Sequence, residues 1–153
     1  MRKLLGWMVV FCMALTAVPL ISQTAKVGTF DKKSIVLAYY RSPLWAAKVQ
    51  AKQEESKAAQ AAGDAAKVKE LQQWGQHSQE AAHEQMFKDG AIPNILEDLK
   101  PAFEEIKKTD GLSEVVVAKE SEKAVSVDVT EKLLVWLKVD EATRKIIREF
   151  AGK

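Results

Sequence analysis

Apolar residues are distributed in unlike ways along this chain, and each distribution predicts a different element. Leu4 to Leu15 is an almost unbroken apolar run. Lys26 to Val36 reads as a strand: Val27, Thr29 and Phe30 lead into a turn at Asp31, and Ser34-Ile35-Val36-Leu37 follows. From Leu44 to about Lys88 there is no Pro and few residues are β-branched, while Ala, Gln, Lys and Glu abound. These are strong helix formers. Ser42 and Pro43 suit the N-cap and first position of that helix.

Within the helical stretch two heptad-like rows stand out. One is Leu44, Ala51, Ala58, Ala65, Gln72, Gln79, Met86; the other is Ala47, Glu54, Ala61, Val68, Gly75, Ala82. Alanine lets helices approach closely but buries little area, so such a helix needs a partner. Ala62-Gly63-Asp64 is the best break, since Gly suits a helix C′ position and Asp an N-cap. Two readings follow: one continuous helix ~67 Å long, or a hairpin with arms of ~28–36 Å. The hairpin is the favoured one.

Asp89-Gly90-Ala91-Ile92-Pro93 interrupts the helix, which resumes over Asn94 to Lys108 with Ile95, Leu96, Leu99, Phe103 and Ile106 on one side. Pro101 either kinks it or sits in a restarted first turn. Thr109-Asp110-Gly111 terminates it. Val115-Val116-Val117-Ala118 reads as a strand, and Ala124-Val125-Ser126-Val127 as its antiparallel partner across Glu120-Ser121-Glu122-Lys123. Asp128 with Glu131 three residues on has the form of a capping box before a helix carrying Leu133, Leu134, Trp136 and Leu137. A last amphipathic helix, Glu141 to Phe150, places Ile146, Ile147 and Phe150 near one face.

Charge and composition sharpen the reading of the first segment. Arg2 and Lys3 precede the apolar run, and Thr16, Ala17, Pro19, Ser22, Thr24 and Ala25 follow it. This is the three-part form of a secretory signal over residues 1–25. The run to Ile21 falls short of the ~20 apolar residues a spanning helix needs, and Pro19 interrupts it, so membrane contact through an uncleaved signal is not expected. The whole chain carries a formal net charge of +2; without Arg2 and Lys3, 21 basic and 21 acidic residues remain. A neutral chain does not suit a nucleic-acid binder, which displaces counterions with an excess of Lys and Arg. Cys12 is the one cysteine and lies within the apolar run. A chain cleaved after it has no thiol for disulfide, metal or catalytic chemistry.

Candidate chemistry is sparse. Glu80-Ala-Ala-His83 is a Glu-x-x-His motif, which di-metal bundles use twice together with two further helical glutamates; here it occurs once. His77 lies six residues from His83, about 240° round a helix. No Gly-x-Ser-x-Gly, Gly-rich phosphate loop or His-Glu-x-x-His is present. Glu54-Glu55 and Glu104-Glu105 sit near lysines, as on solvated helix faces. Neither enzyme activity nor a metal or other cofactor is expected.

Lys26-Val27-Gly28-Thr29-Phe30-Asp31, the Phe103-Glu104-Glu105-Ile106-Lys107-Lys108 segment leading through Gly111 to Val115-Val116-Val117, and Val127-Asp128-Val129-Thr130-Glu131-Lys132-Leu133-Leu134 frame most of residues 26–137. In order and spacing they resemble the Skp/OmpH family of periplasmic chaperones. The resemblance implies a mainly α chain with a small β body over residues 26–153. Its parts would be a strand, a helical hairpin of coiled-coil arms at about 44–88, further strands and a C-terminal helix, and it would assemble as a trimer. It also implies a holdase that retains unfolded outer-membrane or envelope proteins in the periplasm without ATP. Segment 44–88 is short for the family's arms, and Lys138–Lys153 extends past the point where many members end. On this reading Trp45, Val49, Val68, Leu71, Trp74 and Met86 are candidates for client contact. Val27, Phe30, Val115, Val116, Val117 and Val127 are candidates for the body or the oligomer interface. The rival reading is an envelope structural or adaptor protein that holds one folded partner between the same arms.

Overall fold

The computed structural model describes residues 26–118 and 126–151. The signal segment 1–25, the turn Glu120–Lys123 and residues 124–125 of the expected strand lie outside the described residues. In chain order the elements are β1 (Val27–Phe30), α1 (Lys32–Tyr40), α2 (Pro43–Ala61), α3 (Ala65–Phe87), α4 (Pro93–Asp110), β2 (Glu114–Val117), β3 (Ser126–Asp128), α5 (Thr130–Trp136) and α6 (Glu141–Ala151). The fold is therefore mainly helical with a small three-stranded sheet.

The first strand is shorter than its apolar pattern suggests. β1 stops at Phe30, where the Asp31 carboxylate accepts the Ser34 amide at 2.7 Å and starts α1. The β-branched pair Ile35-Val36 has strand propensity, but in α1 both are fully buried, along with Ala38 and Tyr39. Burial of this kind is worth about 1.5–3 kcal/mol per large side chain, more than the few tenths that helix propensity costs a β-branched residue.

β1 is the middle strand, with the order β2-β1-β3, and it runs parallel to both neighbours. Gly28 stands opposite Val115 on one side and Val127 on the other. The expected antiparallel pairing of the last two strands is thus wrong. Two strands parallel to the same third strand point the same way, so a short turn cannot join them as a hairpin. Gly28 sits where space is tight: a Cβ there would meet Leu112 Cδ1 at 2.9 Å and Val115 Cγ2 at 3.1 Å.

Helices pack on the sheet through one continuous core. Phe30, Ile35, Val36 and Tyr39 meet Ile95 and Leu99 of α4 and Leu133, Leu134 and Leu137 at α5. α4 buries Ile95, Leu99, Ala102 and Ile106, while Leu96 and Phe103 are half-buried against the core. Pro93 occupies its first turn, Pro101 lies inside the continuous helix, and Gly111 ends it at φ 65°. The Phe103 ring stacks on Phe30 at 5.8 Å.

The start of α5 departs from the expected capping box. Val129 is the N-cap, Asp128 accepts the Thr130 amide at 2.8 Å, and Glu131 pairs with Arg144 of α6 at 2.8 Å instead of reaching back. On α6, Ile147 and Phe150 line the same side, as expected; Ile147 is buried, Ile146 half-buried and Phe150 60% exposed. Among the described residues no helix is long and apolar enough to cross a membrane.

α2 and α3 form the helical hairpin that the Gly63 break predicts. Ser42 accepts the Trp45 amide at the start of α2, Gly63 adopts φ 70°, and Asp64 accepts the Lys67 amide at the start of α3. The expected rows are right only in part: Leu44, Val68, Gly75, Ala82 and Met86 are half-buried. Ala47, Ala51, Glu54, Ala58, Ala61, Ala65, Gln72 and Gln79 are all exposed. On α2 the less exposed stripe is Trp45, Val49, Lys52, Ser56 and Ala59, and on α3 it passes through Val68, Leu71, Trp74, Ser78, Ala81 and Gln85. The 3-4 spacing is right, and on α2 the phase is off by about one residue, because alanines on every side of that helix cannot mark one face.

Candidate functional site

Three surfaces could carry function: the hairpin, the sheet, and a hollow in the body. On the hairpin, α2 contributes one buried residue, Ala59, and α3 contributes Leu71 and Gln85. All but a few of the side chains of these helices therefore face water or are only half-covered. Five of the six sequence-derived contact candidates lie on the inner stripe. Trp45, Val49, Val68 and Trp74 are half-buried, and Leu71 is buried. Trp45 stacks on Trp74 with ring centroids 6.0 Å apart, and Tyr40 meets Trp45 edge-on at 5.0 Å. The two tryptophans are thus brought together, and much of each ring is spent on the other.

The root of the hairpin is polar as well as aromatic. The Tyr39 hydroxyl donates to Asp98 of α4 at 2.5 Å, and Lys48 of α2 reaches both oxygens of the same carboxylate at 2.7 and 2.5 Å. Burial, with the Asp98 carboxylate beside it, pushes the Tyr39 phenol far above its usual range, so it stays a donor. The Tyr40 hydroxyl donates to Gln85 at 2.9 Å, and the Gln85 amide donates to the Ala91 carbonyl and to Asn94. Burial raises the Tyr40 phenol too.

The body candidates all lie on the sheet. Phe30 is fully buried, and Val115 and Val117 are half-buried against the core. Val27 and Val116 alternate with these along their strands and so face the other side, where they are half-buried. Val127, on the short β3, is 41% exposed.

Sequence reasoning missed the hollow. It measures about 1080 Å³ at the carboxyl ends of β1 and β2, between the start of α1, the α3–α4 turn and α6. Leu37, Met86, Ile92, Val117 and Ile147 give it apolar walls, with Lys32 and Lys33 among the polar lining. Lys32 pairs with Asp89 at 2.5 Å, which holds the Asp89 carboxyl below the ordinary range. Met86 therefore belongs to this hollow and not to the inner stripe with the two tryptophans. The amphipathic pattern of α6 was the available signal, but periodicity does not say which elements converge.

Glu80 and His83 are exposed on α3, and the His83 ring rests against Phe87 at 5.1 Å. Among the described residues no three His, Cys, Asp or Glu side chains gather as metal ligands would. What the geometry offers is contact surface: an alanine-rich hairpin with a thin interior and a body with a hollow at the carboxyl ends of β1 and β2. Comparison of the chain with family models, with curated proteins and with solved structures finds no match in any of the three.

Proposed function

We propose that this chain is an exported, ATP-independent holdase of the Skp/OmpH type, which retains unfolded outer-membrane or envelope proteins in the periplasm. One observation supports this above the others: over helices of 19 and 23 residues, α2 and α3 bury only Ala59, Leu71 and Gln85. A structural hairpin of that length would ordinarily pack an apolar face into the core. This one is held at its root and leaves a long surface of alanine and polar side chains uncommitted. Weak contacts spread over such a surface suit a partner without fixed shape.

On this reading the hairpins of three chains act as coiled-coil arms around the client, and the sheet face that carries Val27 and Val116 meets other copies. Parallel sheets are usually covered on both faces, which agrees with a subunit contact there. The test is aggregation suppression, without nucleotide, on several unrelated unfolded membrane proteins, together with the mass of the mature protein in solution. Protection of several clients by a trimer supports the proposal. Protection of none, with stoichiometric capture of one folded partner, would replace it with the adaptor reading.

A further inference from the structure

We infer that the hairpin root is a locked joint, in which a Tyr39–Asp98–Lys48 clasp sets the angle of the α2–α3 arm on the body. The arm then adapts only by bending beyond the Trp45–Trp74 stack. The inference rests on the reading of α2–α3 as an arm.

The chain crosses between body and hairpin twice, at Arg41–Ser42 and at Lys88–Ile92. Two backbone crossings alone would act as a hinge. Both crossings are braced by side chains from other elements. At the first, Tyr39 is fully buried, its hydroxyl is tied to α4, and its ring lies 5.6 Å from Trp45. Lys48, one turn beyond Trp45, bonds the same Asp98 carboxylate and so connects α2 directly to α4. Ser42 is 1% exposed and donates to the Tyr39 carbonyl at 2.6 Å. At the second crossing, Gln85 is 5% exposed and bonds Tyr40, Ala91 and Asn94, while Asp89 pairs with Lys32. Rotation of the arm would break charge-assisted hydrogen bonds and part a packed aromatic group together, and it would strand the buried Tyr39 hydroxyl.

Toward the tip the restraints are few. Past the stack the only buried residues are Ala59 and Leu71, and Gly63 at the turn has open space around it. Helices in loose alanine contact resist bending far less than interlocked aromatic side chains do.

The experiment uses spin-label distances in the exported chain. Residues 26–153 contain no cysteine, so introduced cysteines label uniquely. Exposed Glu105 on α4 serves as the body site, with exposed Gln53 as a root site and exposed Gln60 as a tip site on α2. Labelled chains are diluted with unlabelled chains, which leaves only distances within one chain. A narrow Gln53–Glu105 distribution and a wider Gln60–Glu105 one are expected. Tyr39→Phe combined with Lys48→Met should abolish the narrow root peak while the far-ultraviolet helix signal is retained. A wild-type root distribution as wide as that of the tip overturns the inference, whatever the variants do. So does a root peak that survives in the folded double variant. Client protection is measured on the same samples. A locked root in a chain that protects no client would remove the chaperone reading alone, and a loose root in a protective chain would remove the joint alone.

Discussion

Thr130 accepts the backbone amide of Asp31 at 2.9 Å across 99 residues of sequence. The contact joins the end of the first strand to the start of α5. The neighbouring Val129 amide donates to the Thr29 carbonyl at 2.8 Å, so β1 and the start of α5 are stitched side by side. In the sequence Thr130 looks like a helix-start residue beside Asp128. In the fold its hydroxyl serves a different strand.

Thr130→Val keeps the shape and removes the acceptor. The expected loss is about 1 kcal/mol, the net worth of one hydrogen bond in a partly wet setting. Urea unfolding followed by helix signal measures it, and a wild-type midpoint would show that water replaces the hydroxyl without cost.

Gly28→Ala tests the packing of the central strand. The added methyl carbon would stand 2.9 Å from Leu112 Cδ1 and 3.1 Å from Val115 Cγ2, with Val129 Cγ1 at 3.4 Å. Overpacking of that kind costs about 1–3 kcal/mol. Thermal melting should show the loss, and a larger residue at this position should deepen it.

Removal of residues 50–82 with a short Gly-Ser bridge separates arm from body. The deleted stretch holds Ala59, Leu71 and Trp74, none of which belongs to the central core. The remaining chain should stay folded and keep its oligomeric state by sedimentation, and it should lose client protection. Retained protection would locate client binding on the body. An unfolded product would make the hairpin a core element and favour the adaptor reading.

Val116→Asp, by contrast, places a charge on the sheet face away from the helix core. Since Val116 is half-buried within the single chain, the variant should fold as a monomeric unit with modest loss of stability and dissociate as an assembly. Sedimentation at low and high protein concentration distinguishes the two effects. An intact oligomer would remove this face from the subunit contact.

Acid should loosen the α5–α6 junction. The Asp140 carboxyl is held below its usual value, first by the Thr143 hydroxyl, then by the Thr143 amide at 2.7 Å. A depressed folded-state pKa adds stability above the unfolded value of about 3.9, and that stability disappears as pH falls through the lower folded-state value. Asp140→Asn should therefore flatten this part of the acid-unfolding curve and leave the neutral-to-alkaline limb unchanged in slope. An acid limb identical to wild type would show that Asp140 is not a contributor.

Local chemistry determined a good part of this fold in advance. The Ser42-Pro43 start, the Gly63-Asp64 turn, the Gly111 stop and the buried stripe of α4 rest on interactions within a few residues, and all are found in the structure. Whatever depends on a distant partner was not legible. Ile35-Val36 has the propensity of a strand but lies in a helix, because the core that buries it comes from α4 and α5. Val115-Val116-Val117 is plainly a strand, but its partner β1, its parallel direction and its register are seen only in the structure. The alanine-rich hairpin has its 3-4 spacing in the sequence and its phase only in the structure. Where apolar residues occupy every side of a helix, the packed face is chosen by a few large contacts, here the Trp45–Trp74 stack and the Tyr39–Asp98–Lys48 clasp.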